Sequence, residues 1–398
     1  MRDGTWNIFC RVVDNFGDIG VCWRLARELR ARFGLPVRLW VDHMAAFRRI
    51  CPQAASALTD EAVWTNGGPA LVVVEGVEVR RWPDGPGDAA GFAKVADAAV
   101  VIEAFACDLP EAALAAMAQA SPPPLWINLE YLSAEDWVGD YHGLSSPHPR
   151  LPLVKRFFFP GFDARTGGLL RERELLAARD AFLADRPAAL RFLACAGVSG
   201  VEADVRRVSL FAYETPALPD LLALWETAAQ PTLLLVPEGR VLGDLGRHLG
   251  QSALRAGDRL VRGALDVAVL PFLSQHDYDR LLWCCDLNFV RGEDSFVRAQ
   301  WAARPCVWQI YRQAEDAHQV KLDAFLARYG AQLEGGDGEA LAAFWRAWNG
   351  RGDPAACWPA MDAALPRLAR HARQWCEQLA EHTDLCTNLV EFSGTVLK

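Results

Sequence analysis

Short apolar segments alternate with helical segments along most of this 398-residue chain. An apolar run over 6–13 gives way to turn residues, a helix predicted over 19–33 and a second apolar run over 37–41. Val21, Leu25 and Leu29 recur at intervals of four, which places one apolar face of that helix inward. Gly34 then ends the helix. A strand, a helix and a strand in this order predict an α/β fold with a parallel sheet.

The alternation resumes in the second half of the chain, so we expect two Rossmann-like domains facing each other across a cleft. A charged helix predicted over 169–183 is followed by Pro187, which favours a domain boundary at 185. The first domain is expected over 1–185 and the second over 186–374. The C-terminal helices are expected to return to the first domain over 375–398.

Composition narrows the possible partners and the compartment. The net charge of −9 disfavours binding to nucleic acid, which needs a basic surface. We find no apolar stretch of the roughly 18 residues that span a bilayer, and no signal peptide, so neither a membrane nor export is expected and the predicted compartment is the cytoplasm. The 11 cysteines include no C-x-x-C pair and are expected to be mostly free and buried.

Familiar motifs of enzyme chemistry are absent. The turn after the first strand lacks G-x-G-x-x-G, and the chain has no Walker A, H-E-x-x-H or G-x-S-x-G motif. The 8 histidines show no metal-ligand spacing, so neither a metal nor a cofactor is expected. Two Rossmann-like domains without these motifs fit a metal-independent glycosyltransferase of the GT-B type, an argument by fold analogy.

Two carboxylates, Asp14 and Asp18, stand four positions apart where the first strand leads into the first helix. The carboxyl ends of parallel strands form the edge at which ligands bind. The pair therefore suits the gripping of a cationic group, or the removal of a proton by one of the two. The alternative is structural, with Asp18 capping the helix and Asp14 forming a turn, and the pattern alone favours it.

A second polar segment, Arg-Gly-Glu-Asp-Ser over 291–295, follows a predicted strand and opens a helix. Free N–H groups at a helix start favour a phosphate, to which Arg291 adds a cation and Ser295 a hydroxyl donor. Glu293 and Asp294 suit the hydroxyl groups of a sugar. Capping by Asp294 or Ser295 is the alternative, but it does not account for Arg291. An aromatic face and an amide are what a nucleobase needs, and Phe272, Gln275, Tyr278 and Tyr311 offer them. The alternative is that they are core aromatics and a surface glutamine, which the pattern favours for each residue taken singly, and Tyr213 is open to both interpretations in the same way.

The sequences around the Asp14–Asp18 pair and the 291–295 segment resemble a known family over three long strings: FCRVVDNFGDIGVCWRLA over 9–26, DYDRLLW over 277–283 and DLNFVRGEDSFVRAQW over 286–301. They resemble the bacterial protein-arginine rhamnosyltransferases that modify elongation factor P, the EarP family. The resemblance extends over essentially the whole chain. It implies a GT-B fold, dTDP-β-L-rhamnose as donor, one arginine of elongation factor P as acceptor, inversion at the anomeric carbon, no metal, and a role in relieving ribosomes stalled at proline runs.

The resemblance also implies roles for residues. Asp18 is the expected general base and Asp14 its orienting partner, although the division between them stays open, and Glu293 is a further catalytic residue. The nucleotide sugar is expected to contact Phe272, Gln275, Tyr278, Arg291, Glu293, Asp294, Ser295, Tyr311, Tyr213, Asn15, Phe16 and Gly17. Two alternatives remain: another GT-B nucleotide-sugar enzyme, either a transferase or an epimerase, and a non-catalytic protein that binds a translation factor.

Overall fold

The computed structural model describes residues 4–14, 16–57, 71–82, 89–185, 187–202 and 204–397. The chain divides into two units, the first formed by Met1–Arg173 with Ala380–Lys398 and the second by Glu174–Leu379. The boundary expected at 185 thus falls at 173, because the helix Leu175–Ala184 packs against helices of the second unit. The chain returns to the first unit at Ala380 rather than at 375, near the end of one long helix.

The described part of the first unit forms one sheet in the order β3-β4-β2-β1-β5-β6-β8-β7. Pairing is parallel except for the antiparallel pairs β3–β4 and β7–β8 at the two edges. The strands are β1 (Thr5–Cys10), β2 (Val37–Val41), β3 (Leu71–Val74), β4 (Val77–Arg81), β5 (Ala98–Ala104), β6 (Leu125–Leu129), β7 (Ser145–Pro147) and β8 (Val154–Phe158). The central strand β1 is flanked by β2 and β5 and is almost entirely buried, as its apolar composition predicts.

Helices cover this sheet, and a 3₁₀ helix spans Ala89–Asp97. They are α1 (Gly17–Phe33), α2 (Met44–Ile50), α3 (Pro52–Ala57), α4 (Glu111–Gln119), α5 (Val138–Tyr141) and, from the C-terminus, α15 (Leu385–Val396). Gly34 ends α1 with φ of 67°, where its N–H donates to the carbonyl of Arg30. This left-handed C-cap confirms the stop predicted from the sequence.

The polar face of α1 is more buried than the sequence indicates. Arg24 is only 2% exposed and pairs with Glu172 at 2.9 Å. Glu28 accepts a hydrogen bond from the backbone N–H of Arg173 at 3.0 Å. The predicted helix over 169–183 begins only at Leu175, so its first residues are non-helical and include these partners of α1. Arg24 and Glu28 are therefore buried against the 172–173 segment instead of facing solvent.

The second unit has a sheet in the order β11-β12-β10-β9-β13-β14, parallel except for β11. Its strands are β9 (Arg206–Leu210), β10 (Thr232–Pro237), β11 (Arg259–Arg262), β12 (Leu265–Leu270), β13 (Leu287–Arg291) and β14 (Cys306–Gln309). Its helices are α6 (Leu175–Ala184), α7 (Ala188–Cys195), α8 (Leu218–Glu226), α9 (Leu242–Leu249), α10 (Gln275–Cys284), α11 (Asp294–Ala302), α12 (Ala317–Gly330), α13 (Asp337–Trp348) and α14 (Pro354–Glu381). A 3₁₀ turn spans Ala314–Asp316.

Aromatic rings and thiols fill the cores of both units. Phe296 and Trp308 stack with ring centroids 3.9 Å apart, and Phe289 packs edge-on against Trp348 at 4.8 Å. All cysteines are free and most are buried, as expected, including the adjacent Cys284 and Cys285. Two Rossmann-like units with a C-terminal helix that returns to the first are the predicted GT-B type of α/β fold.

Candidate active site

The strand order locates the ligand-binding edge of each sheet. In the first sheet the chain runs from β1 outward through β2 and then crosses to β5 on the other side of β1. In the second sheet it runs from β9 outward through β10 and later crosses to β13. Ligands of open α/β sheets bind beyond the carboxyl ends of the strands at such switch points. The loops after β1 and β5, and those after β9 and β13, are therefore the candidate sites of the two units.

Asp18 lies in the first turn of α1, at the switch point of the first sheet, and is 3% exposed. Its Oδ2 accepts hydrogen bonds from the backbone N–H groups of Val13 at 2.7 Å and Asp14 at 2.8 Å. Its Oδ1 accepts one from the hydroxyl of Tyr131 at 3.3 Å. The N-cap position is Phe16 and has no side-chain cap bond, so the prediction that Asp18 caps α1 was wrong. Its carboxylate holds the preceding loop instead.

The surroundings of Asp18 shift its acidity. Burial raises the pKa of Asp18 above its ordinary value, and the neighbouring Asp14 raises it further. Hydrogen bonds from the backbone of Asp14 and Val13 and from Tyr131 lower the pKa, but the sum is a raised value. A carboxylate with a raised pKa is a stronger proton acceptor near neutral pH, which is what a general base requires.

Asp14 lies in the same turn but is only half-buried. Its carbonyl accepts the N–H of Gly17 at 2.7 Å, as the turn interpretation predicts. A Cβ atom at Gly17 would lie 3.1 Å from Oδ2 of Asp14, so glycine leaves room for that carboxylate. Phe16 completes the turn beneath the guanidinium of Arg49, 5.9 Å from its ring centre. Asn15 lies outside the described residues.

Sequence reasoning missed the loop after β5. Phe105, Ala106 and Asp108 all have left-handed backbone conformations, with φ of 59°, 50° and 55°. Non-glycine residues rarely adopt this region, and three within four positions mark a strained loop. No glycine signals it in the sequence. The ring of Phe105 stacks on Tyr131 with centroids 4.6 Å apart, which brings the loop next to the partner of Asp18.

In the second unit Arg291 ends β13 and is 5% exposed. Its guanidinium carbon lies 4.5 Å from the ring centres of both Phe211 and Tyr213, which follow β9. The two aromatic faces fix the cation at the switch point of the second sheet. Phe211 was not among the predicted residues, because only the pairing of β9 with β13 brings it to Arg291.

The helix that follows Arg291 starts without side-chain capping. Helix α11 begins at Asp294, and its N-cap, Glu293, makes no side-chain cap bond. The hydroxyl of Ser295 accepts the N–H of Arg291 at 3.0 Å and donates to the carbonyl of the same residue. The expected capping by Asp294 or Ser295 was therefore wrong. A bound phosphate would meet Ser295 through its backbone N–H rather than its hydroxyl proton.

Further aromatic residues surround Arg291. Tyr213 packs edge-on against Tyr311 at 5.8 Å, and Phe211 packs in the same way against Tyr278 at 5.4 Å. Burial raises the pKa of Tyr278, although Ser295 beside its hydroxyl partly offsets the effect. Tyr311 is 41% exposed, which leaves its ring open to a ligand. Four predicted residues thus share one cluster with Phe211: Tyr213, Tyr278, Arg291 and Tyr311.

Phe272 and Gln275 lie at the start of α10. Gln275 is its first residue and is buried, whereas Phe272 is half-buried. Phe272 lines a cavity of about 690 Å³ together with Phe182, Phe192 and Trp283. That these two residues hold the nucleobase stays a prediction.

A buried ion pair joins the two helices of the second site. The guanidinium of Arg298 on α11 binds both carboxylate oxygens of Asp279 on α10, each at 2.8 Å. Bidentate geometry fixes orientation as well as distance. It therefore holds the helix of Tyr278 against the helix of Ser295.

Two features of other protein classes are missing from the described residues. These residues contain no group of three or more histidine, cysteine, aspartate or glutamate residues arranged to hold a metal ion. Among the helices of the described ranges, none combines the length and the apolar character needed to cross a membrane.

Comparison with known proteins gives a consistent result. Residues 6–394 match the family described as Elongation-Factor P (EF-P) rhamnosyltransferase EarP. A protein-arginine rhamnosyltransferase of Pseudomonas aeruginosa is 52% identical over 388 residues, which are 98% of each chain. One of Shewanella oneidensis is 40% identical over a gapped alignment of 410 positions, which covers 97% of each chain. A solved structure from work on EarP-mediated arginine glycosylation of translation elongation factor EF-P superposes with a TM-score of 0.68 at 39% identity, covering 98% of this chain and 99% of that one.

Proposed function

The chain belongs to the EarP family of EF-P rhamnosyltransferases, and on this premise we propose that it transfers L-rhamnose from dTDP-β-L-rhamnose to one arginine side chain of elongation factor P. The observation that carries the proposal is the Asp18 carboxylate, buried at the switch point of the first sheet with a raised pKa. It supplies the base that an arginine acceptor needs.

An arginine side chain resists glycosylation because its guanidinium is protonated and its lone pairs are delocalised. Asp14 and Asp18 answer both difficulties, since two carboxylates match the fork of N–H donors and one of them accepts a proton. As a guanidinium nitrogen forms its bond to the anomeric carbon, the bond from that carbon to the diphosphate oxygen breaks and Asp18 takes the nitrogen's proton. One displacement inverts the β-linked donor to an α-linked product. Asp14, more exposed in the same turn, orients the acceptor.

The second unit supplies the donor site. Arg291 and the N–H groups at the start of α11 face the negative charge that develops on the leaving diphosphate, with Tyr311 as a further contact. Phe272, Gln275 and Tyr278 hold the thymidine. Glu293 and Asp294 accept hydrogen bonds from sugar hydroxyls, Glu293 also supports catalysis, and Tyr213 lines the rhamnose pocket. Arginine and helix dipole supply the positive charge, so the proposal includes no metal and no cofactor.

The β1–α1 turn contributes to the donor as well as the acceptor in this proposal. Asn15, Phe16 and Gly17 lie between the two carboxylates in sequence and contact the nucleotide sugar. The modification acts in the cytoplasm, where elongation factor P relieves ribosomes stalled at proline runs.

Intact-mass measurement of elongation factor P, after incubation with this protein and dTDP-L-rhamnose, tests the proposal. A gain of one deoxyhexose on a single arginine, with no gain from the Asp18→Asn variant, supports it. A gain on a residue other than arginine changes the acceptor, and a gain only with a different nucleotide sugar changes the donor. No gain with any donor, while the two proteins bind each other, favours a non-catalytic binding partner instead.

A further inference from the structure

The hydrogen bonds of Asp18 leave one of its carboxylate oxygens available to a substrate. Oδ2 already accepts two backbone N–H groups, from Val13 and Asp14. Oδ1 has Tyr131 as its donor among the described residues, at 3.3 Å. A carboxylate oxygen accepts about two hydrogen bonds. The position of the Tyr131 hydroxyl therefore decides which direction remains open on Oδ1.

The Tyr131 ring is itself held in place. It stacks on Phe105 at 4.6 Å with the planes 19° apart. Phe105 adopts a left-handed backbone and is fastened by its N–H to the carbonyl of Leu129 at 2.6 Å. Two rings in parallel contact restrict rotation of the tyrosine, so its hydroxyl has a defined place beside Asp18.

Hydrogen bonds from neighbouring strands hold the strained 105–108 loop, to which Phe105 belongs. The N–H of Ala106 donates to Oδ1 of Asn128 at 3.2 Å, and that of Asp108 donates to Oε1 of Glu103 at 3.1 Å. Glu103 is in turn paired with Lys155 at 2.9 Å. Left-handed conformations cost about 1–2 kcal/mol per non-glycine residue, and they persist only where the surroundings impose them. A strained loop beside a candidate base indicates that the precise position of that base, Asp18, is needed for function.

We propose that Tyr131, held in place by its stacking on Phe105, is a positioning residue. Its hydrogen bond orients the Asp18 carboxylate so that Oδ1 faces the acceptor arginine. This inference rests on the function proposed above. Tyr131 contacts the base through its hydroxyl and takes no part in bond making. It belongs to the loop after β6, so the site of the first unit draws on three strands: β1, β5 and β6.

The groups around Asp18 determine how its titration responds to Tyr131. Asp14 on the same loop raises the pKa of Asp18, and the Tyr131 hydroxyl lowers it. Cys10 on β1 also lies near the carboxylate, and burial together with the neighbouring Cys22 raises the pKa of Cys10, so that thiol stays neutral. Loss of the hydroxyl therefore moves the ionisation of Asp18 to higher pH.

The test is Tyr131→Phe, which keeps the stacked ring and removes only the hydroxyl. Loss of a hydrogen bond to a charged group is expected to lower kcat about 10-fold or more. The KM for elongation factor P and the melting temperature should stay near the wild-type values. The acidic limb of the kcat–pH profile should move to higher pH. Tyr141→Phe, on the exposed helix α5, is the matched control and should match the wild type.

Three results overturn the inference, and one of them is shared with the proposed function. A Tyr131→Phe enzyme with wild-type kcat and an unmoved acidic limb removes the positioning role while the proposed function stands. A loss of kcat that is accompanied by an equal loss of stability, with the limb unmoved, assigns Tyr131 to folding alone. A wild-type protein that does not modify elongation factor P overturns the proposed function, and this inference with it.

Discussion

Replacing Asp18 by asparagine is a sharp test of the proposed chemistry because the two side chains have the same shape. The asparagine oxygen still accepts the N–H groups of Val13 and Asp14, which Oδ2 of Asp18 holds at 2.7 and 2.8 Å. Its amide then donates to the oxygen of Tyr131, reversing the bond found at Oδ1. The turn keeps its hydrogen bonds, and the charge and the proton acceptor are lost.

The expected loss of activity follows from the role of a base. General base catalysis contributes about 10²- to 10⁴-fold, so kcat should fall by about that factor, equivalent to about 3–5 kcal/mol in the barrier. Binding of dTDP should be unchanged, because the nucleotide contacts assigned to the second unit are intact. The KM for elongation factor P should rise by a smaller factor than kcat falls, since Asp14 still offers a carboxylate to the acceptor.

Stability gives an independent check with a definite sign. Burial raises the pKa of Asp18 in the folded protein above its unfolded value. The stability from this group is fully present below the unfolded pKa, which is about 3.9, and is lost as pH rises through the folded pKa. Asparagine does not titrate. The free energy of unfolding of the wild type, relative to Asp18→Asn, should therefore decrease as pH rises from about 4 towards neutrality.

The assays are the initial rate of mass gain on elongation factor P at saturating donor, and urea unfolding at several pH values. Asp140→Asn is the matched control, because Asp140 lies in the same unit with its side chain 78% exposed, and it should leave the rate unchanged. A variant Asp18→Asn that keeps more than a tenth of wild-type kcat would refute the assignment of Asp18 as the base. A stability difference that grows in favour of the wild type with rising pH would refute the account of its burial.

Three further predictions concern the second unit. Arg298→Met removes the guanidinium that binds both carboxylate oxygens of buried Asp279. Urea unfolding should show a loss of about 3–5 kcal/mol, and a loss below about 1 kcal/mol would contradict the role of the pair. Ser295→Ala removes the hydroxyl that bridges the N–H and carbonyl of Arg291. Titration calorimetry should show dTDP binding weakened about 10-fold, with the KM for elongation factor P unchanged. An unaltered dTDP affinity would contradict the role of the Ser295 hydroxyl. Ala303→Gly relieves the backbone strain of a left-handed C-cap with φ of 55° at the end of α11. It should raise the free energy of unfolding by about 1 kcal/mol in the urea assay. A loss of stability would show that packing of the alanine methyl group outweighs the strain.

Local periodicity was enough to find most of the elements. The helix predicted over 19–33 ends at Phe33, and the apolar run over 37–41 forms a strand with the same bounds, because the apolar pattern and the turn residues around them act over a few positions. The helix predicted over 169–183 was wrong over its first six residues, because the helix begins at Leu175. Residues 172 and 173 there bind Arg24 and Glu28 of α1, and such a distant pairing leaves no local trace in the sequence.

The sequence alone identified the chemistry-bearing residues that lie close together along the chain. Asp14 and Asp18 share one turn, and the segment from Arg291 to Ser295 spans the end of a strand and the start of a helix, so a short motif suffices to recognise each. Their family follows from the same strings, and the comparisons confirm it.

Only the tertiary structure decided what surrounds those residues. Phe211 reaches Arg291 because β9 pairs with β13, and Tyr131 reaches Asp18 across a sheet in which β5 lies between β1 and β6. The left-handed backbone of the 105–108 loop likewise depends on Asn128 and Glu103 holding it, not on its own composition. Motifs record contacts between neighbours in sequence, whereas strand order sets contacts across tens of residues, and that order is fixed by how the whole sheet buries its apolar faces.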